Sequence, residues 1–520
     1  GGVQLETSGA VLISNTIATN RASGVSAYGG GVDIISGVTI SVTLDGNSIQ
    51  LNATDGVSPQ NGFGGGVAVT GAKTGGILLS NNHVFSNTAS IDTNGNPENF
   101  GDGGGIFLGS GQVQLMGNDV RGNTAGRGGG IALTCVNPGT PEEDCWNVAG
   151  GNNAYRQNSA NQGGGIFVGS VVLMGEDCCE FRDTGSQIQA NSAMEGGGLF
   201  NEDQFVVLRG GMIFSNTAVT DGGGILLGAG GVISLTNSAA VDNIAGQDGG
   251  GIYNSGHFSV TNTTVSGNRA SGMGGGFANF SAVDLANTTI SENTSVDGAG
   301  LRNAGMVNTF NSLIAGNNGD NCLGVLNSLG HNLEDGGTCA LGQPTDMSNT
   351  PADIEPLEDN GGATPTHALA AGSPAVDAGD NSACPVQDQR GLPRPLDGDG
   401  DGQAVCDIGA FEFQMPSTTT ILTDLPDPSW AGQPFSVTFA VTATNGTPTG
   451  EVTIRVSSSS QSCSGMLTGG QGSCLLTLST PGTYTLTATY TSDDSNYATS
   501  EATENHNVIE ALYLPVIFQD

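Results

Sequence analysis

Three aspartates, Asp397, Asp399 and Asp401, alternate ahead of Gly402, in the order that opens a calcium-binding loop. Carboxylates on alternate residues, turned by a glycine, can converge on a hard cation. The twelfth position of such a loop supplies a bidentate glutamate; here that position is Ile408, with Asp407 just before it. The incomplete set weighs toward a solvated acidic turn and keeps calcium as the sharper alternative. No other cofactor is implied.

A second group of acids, Asp102, Glu142, Glu143, Asp144, Glu176, Asp177 and Glu180, falls in loops and could line a groove. Glycoside hydrolysis needs two carboxylates flanking one bond. Elimination from an acidic sugar needs a basic group as well. Arg121, Arg127, Arg156, Arg182 and Arg209 are dispersed along the chain, and no His or Lys lies near these acids in sequence. Solvated loops are the simpler reading, so no residue is assigned a catalytic role. Neither a Ser-His-Asp signature nor a phosphate loop appears.

Ten cysteines, most of them in close-spaced couples, point to an oxidising compartment. Cys322 and Cys339, Cys384 and Cys406, and Cys463 and Cys474 are local couples. Cys135, Cys145, Cys178 and Cys179 make a fourth group, expected to be oxidised, with its pairing open. A bridge between adjacent Cys178 and Cys179 would be strained. Zinc is weakly supported, since no C-x-x-C occurs and the five His are scattered.

The elements that must position these groups are written in a repeat. Three glycines followed by an aliphatic residue recur from Gly29, Gly64, Gly103, Gly128, Gly163, Gly196, Gly222, Gly249 and Gly274, with a degenerate copy at Gly298. In step runs an apolar residue three places before an asparagine, giving Asn20, Asn52, Asn87, Asn123, Asn158, Asn191, Asn216, Asn243, Asn268, Asn293 and Asn317. The late spacings are 24 to 27 residues and the early ones 32 to 36. Short apolar runs between Gly or Asn corners, with no helical periodicity, describe one coil of a solenoid. In the coil from Gly222 the expected strands are Ile225–Leu227, Val232–Leu235 and one ending at Val241. Glycine suits corners because it tolerates positive φ, and asparagine is the next best residue there. Inward asparagines can also hydrogen-bond along the axis as a ladder. Eleven coils at the ~4.8 Å spacing of paired strands make a rod roughly 50 Å long. The predicted fold is therefore all-β: a right-handed parallel β-helix of about eleven coils plus a cap over residues 1–330.

The Gly-Gly-Gly-aliphatic and aliphatic-x-x-Asn phrases resemble the repeats of polymorphic outer-membrane proteins, a group of autotransporter adhesins. The chain departs from that group in holding no amphipathic barrel strands at its C-terminus. Residues 331–416 resemble a choice-of-anchor Q domain through Pro365-Thr366-His367-Ala368-Leu369, Gly372-Ser373-Pro374, Asp388-Gln389-Arg390-Gly391 and Cys406-Asp407-Ile408-Gly409-Ala410-Phe411-Glu412. This resemblance implies a secreted bacterial surface protein, and the segment reads as a cap on the solenoid's apolar end. Residues 417–509 alternate as half-buried strands do, at Val437–Val441, Val452–Val456 and Tyr484–Tyr490. They resemble a bacterial immunoglobulin-like repeat, in which Cys463–Cys474 would staple a hairpin.

Acids outnumber bases 49 to 12, for a formal charge of −37. Such a surface repels nucleic acid and anionic lipid, and no run is long enough to span a bilayer. Gly1-Gly2-Val3 reads as the tail of a Gly triplet, so the first coil needs a cover. Residues 510–520 form an apolar tail in which Leu512, Tyr513, Leu514, Val516, Ile517 and Phe518 are candidate assembly residues. Together these features predict an extracellular, surface-located structural or adhesive protein rather than an enzyme. Its partners would be copies of itself, in a head-to-tail filament or layer, or cell-surface and matrix components such as glycans. The rivals are a polysaccharide-binding adhesin and a β-helical polysaccharide lyase or hydrolase.

Overall fold

The computed structural model describes all residues except 1, 6–8, 25–26, 36–40, 57–61, 71–75, 91–100, 110, 136–145, 171–179 and 511–520. The described chain is built from strands, with one short 3-10 turn at Asn381–Ala383. Among the described residues no helix is long and apolar enough to cross a membrane. Contacts divide the chain into two units, residues 1–392 with 407–411, and residues 393–406 with 412–520.

The coil from Gly222 shows how sequence becomes architecture in the first unit. Its strands are Ile225–Leu227, Val232–Thr236, Ala239–Val241 and Ile244–Ala245. Ile225, Leu227, Ile233, Leu235 and Ala240 turn inward and are fully buried. Burying an aliphatic side chain of Leu or Ile size contributes roughly 1.5–3 kcal/mol. The backbone is satisfied by the following coil: these strands pair in parallel with Ile252–Asn254, His257–Ser266 and Arg269–Ala270. Repetition builds a 12-stranded parallel sheet from Val3–Leu5 to Cys322–Leu323 and a 23-stranded sheet that takes two strands from most coils. The unit is a parallel β-helix, as the repeat predicts.

Each glycine of a triplet answers a different constraint. Gly222 has φ +67°, in the left-handed region. At Gly223 a Cβ would lie 2.4 Å from the Gly250 carbonyl oxygen, and at Gly224 2.6 Å from that of Gly251. The second and third glycines are there because the next coil leaves no room.

The expected asparagine ladder is present. The backbone N and Nδ2 of Asn216 both donate to Asn243 Oδ1 at 3.0 Å, and Asn243 Nδ2 donates to Asn268 Oδ1 and the Ile213 carbonyl at 2.9 Å. Every polar site of this buried amide is used. Positive φ falls not on the ladder asparagine but on the residue before it, as at Ser215 (+55°) and Asp242 (+53°). Two further ladders were not legible in the repeat phrases: Asn15, Asn47, Asn82, Asn118 and Asn153, and Asn254, Asn279 and Asn303.

Strands at Asn327–Ser328, Leu333–Glu334 and Met347–Ser348 continue the second sheet. Cys322, bonded to Cys339, packs with Leu326 and Leu341 against the core. Within this unit, residues 351–392 and 407–411 then return along the side of the coils. His367 Nε2 meets Ser266 Oγ at 2.9 Å, and the amide of Ala410 donates to Thr289 Oγ1 at 3.0 Å. Thr264 Oγ1 donates to Gln389 Oε1 at 2.7 Å, while Arg390, paired with Asp388, lies 3.6 Å over Phe411. The sequence suggests that this segment covers an apolar end. Its first part, with Cys339 and Leu341, packs at the last coils, and its later part lies along a flank, where the coils offer buried hydroxyls and amides for it to pair with.

The second unit holds a sandwich. Ser417–Leu425, Pro434–Ala443 and Gln471–Thr477 form one sheet; Ser429–Trp430, Ser500–Ile509, Gly482–Ser492, Gly450–Val456 and Ser462–Met466 form the other. Phe435, Phe439, Val452, Ile454, Leu486 and Tyr490 fill the core between them. Cys463 is bonded to Cys474. The two cysteines sit on consecutive strands joined by the antiparallel turn at Thr468–Gln471, and because these are edge strands of different sheets the bond also ties sheet to sheet.

Candidate functional site

Parallel register stacks like positions of successive coils, and two stacks lie side by side outside the main aliphatic core. The middle residues of the 12-stranded sheet form one: Asp33, Ala68, Phe107, Ala132, Phe167, Phe200, Leu226 and Tyr253 stand in register. The residue before each Gly triplet forms the other, which includes Tyr28, Phe63, Asp102, Arg127 and Gln162. The stacks touch. Phe63 lies 4.8 Å from Phe107 between ring centroids, and the Arg127 guanidinium lies 4.9 Å over Phe167.

Asp102 belongs to this face and is not a solvated loop acid. It is fully buried, and Arg127 holds it in a bidentate pair at 2.8 and 2.7 Å. Burial pushes its pKa up against the pull of Arg127. Glu180 pairs with Arg182 at 2.5 Å, and Glu142, Glu143, Asp144, Glu176 and Asp177 lie outside the described residues.

Toward the later coils the face opens. Tyr253 is half-buried and Phe280 exposed, with ring centroids 5.1 Å apart. Burial raises the Tyr253 hydroxyl pKa, and the charges of Asp221, Asp248 and Glu195 add to the rise. Burial and the charges of Asp248 and Glu195 likewise raise that of Asp221. An aromatic platform edged by carboxylates can stack on the C–H face of a sugar ring while accepting hydrogen bonds from its hydroxyls.

The remaining sequence-derived residues lie elsewhere. In the 397–402 turn the carboxylates bind their own backbone: Asp397 accepts from the amides of Gly400 and Gly402 at 2.8 and 3.0 Å, and Asp399 accepts from Asp401 at 2.9 Å. Cys384 and Cys406 each take part in a disulfide. Cys135 ends a strand in register with Ser170, whereas Cys145, Cys178 and Cys179 lie outside the described residues. So do Leu512, Tyr513, Leu514, Val516, Ile517 and Phe518.

Two buried polar groups carry no sequence signature. Asp183 enters the β-helix core between Gly150 and Leu208, where a Cβ on Gly150 would lie 2.7 Å from its Cγ. Ser186 Oγ donates to it at 2.5 Å. Burial raises its pKa to about 7, against hydrogen bonds from Ser186 and the Thr184 amide. In the sandwich, His506 Nε2 lies 2.8 Å from Ser429 Oγ and Nδ1 lies 2.9 Å from Asp424 Oδ2. The connectivity is that of a Ser-His-Asp triad, which three residues so far apart in sequence could not reveal. Ser429 and His506 are fully buried, so this hydroxyl presents no surface to a substrate.

Residues 422–509 match the Bacterial Ig-like domain (group 3) family. No curated protein and no solved structure matches the chain.

Proposed function

We propose that this is an extracellular bacterial surface protein with a structural and adhesive role, whose β-helix binds a neutral polysaccharide. The Ig-like domain and the disulfides fit an extracellular setting. The resemblances to polymorphic outer-membrane-protein repeats and to a choice-of-anchor Q domain favour surface display. The observation that carries the ligand is the Tyr253–Phe280 platform edged by Glu195, Asp221 and Asp248. Those carboxylates disfavour uronates and sulfated chains, since like charges repel.

Affinity electrophoresis of the full chain through neutral and acidic polysaccharides tests this reading. Retardation by a neutral glucan or mannan is expected, with about a tenfold loss in a Tyr253→Ala/Phe280→Ala variant. Equal retardation of both proteins sinks the site. Release of reducing ends or unsaturated sugars sinks the non-enzymatic reading. Head-to-tail assembly through residues 512–520 is a separate part of the proposal, and polymers unchanged by deleting them would remove it.

A further inference from the structure

The geometry points to a transition-metal site in the Ig-like unit, formed by Asp424, Asp427 and His506. Two segments supply it. Asp424 is near the end of the Ser417–Leu425 strand of one sheet, Asp427 follows in the short link to Ser429, and His506 stands on Ser500–Ile509 of the other sheet. Pairing of Ser429 with Val508 brings the link and the histidine strand together.

The imidazole is held as a metal-binding imidazole is held. One face stacks on Phe435 at 3.7 Å between centroids and 8° between planes. Nε2 is engaged by Ser429 Oγ at 2.8 Å, which leaves Nδ1 as the ligand atom. Nδ1 faces two carboxylates, Asp424 Oδ2 at 2.9 Å and Asp427 Oδ1 at 3.7 Å. All three ligand atoms lie within 4.8 Å of one another. Tetrahedral ligands bound at 2.0–2.1 Å sit about 3.3 Å apart, and the two observed separations bracket that value. Small side-chain movements would close the set around one ion.

The chemistry selects the ion class. One imidazole nitrogen and two carboxylate oxygens suit zinc, cobalt or nickel better than calcium, which prefers six or more oxygens. Two carboxylates balance a divalent charge, and their ion-pair partner among the described residues is the imidazole alone. Asp427 also accepts from the Asn507 amide at 2.8 Å, which orients its carboxylate. A route for the ion exists on one side: the His506 side chain is fully buried, but that of Asp427 is 28% exposed. A proton shared between His506 and Asp424 is the competing account of the same contacts.

Cobalt titration of the full chain, stripped with EDTA, separates the two. One equivalent of Co²⁺ is expected to give the intense visible bands of a four- or five-coordinate ion, and Zn²⁺ to displace it. His506→Asn should abolish these bands. Asp427→Asn leaves the His506–Asp424 contact in place, so it serves if the first variant fails to fold; it should weaken Co²⁺ binding at least tenfold. Bands that are missing from the unaltered chain, or identical in it and in Asp427→Asn, overturn the site and leave the proton.

Discussion

Asp183 shows how much one side chain can set for a coil. Its positional equivalents include Leu115 and Leu208, and the missing side chain of Gly150 makes its space. A carboxyl whose pKa is about 7 in the fold and 3.8 in a free chain favours folding while protonated. That contribution is complete below about pH 4, falls as pH rises through 7, and is flat above, a change of about 4 kcal/mol. The unaltered protein should therefore lose stability to urea between pH 4 and 8 relative to Asp183→Asn, which keeps the shape without the charge. Parallel pH profiles for the two proteins would show that this carboxyl does not titrate with folding. Nothing in the sequence marked Asp183, since a lone aspartate in a strand reads as outward-facing. Its register with Gly150 needs the coil boundaries first.

At the scale of elements, the asparagine ladder joins coils that otherwise share strand pairing and apolar contacts. Asn243→Ala takes the acceptor from the Asn216 backbone amide and one Asn216 Nδ2 hydrogen on one side, and a donor from the Ile213 carbonyl and Asn268 Oδ1 on the other, where Asn268 Oδ1 keeps the residue 243 backbone amide. An unpaired buried polar group costs about 1–3 kcal/mol, so the variant should lose about 3 kcal/mol in urea unfolding, with partial relief from any water that enters. A loss below about 1 kcal/mol would mean the ladder is ornamental. This ladder was legible because its phrase recurs in every coil. The second was not, because its rungs change chemistry: Asn153 gives way to Ser186, and later positions carry Ser238, Thr263 and Ser312. The outer aromatic stack was hidden for a similar reason, being one residue per coil of changing type. Ser429, His506 and Asp424 were hidden by distance, for only the parallel pairing of Ser429–Trp430 with the histidine strand and the link that crosses between the sheets bring them together. The Ig-like strands were the easier case, since each carries its alternation within a few residues.

Across the whole molecule, a charge of −37 is spread over a chain with 12 basic residues. Self-repulsion of this size opposes the compact state. Raising NaCl from about 10 mM to about 1 M shortens the screening length from about 30 Å to about 3 Å, and the midpoint of thermal unfolding should rise by several degrees. A fall would place the balance with specific ion pairs such as Asp102–Arg127. Solenoids also unfold coil by coil, since each touches mainly its neighbours. The Asn ladder adds a polarity to that stack. From Asn20 to Asn293 each rung gives one side-chain amide hydrogen to the oxygen of the rung in the following coil. The dipoles therefore point one way, like arrows on a track. A block of coils cut out and spliced back upside down would meet oxygen with oxygen at one seam and hydrogen with hydrogen at the other, however well its aliphatic residues fitted.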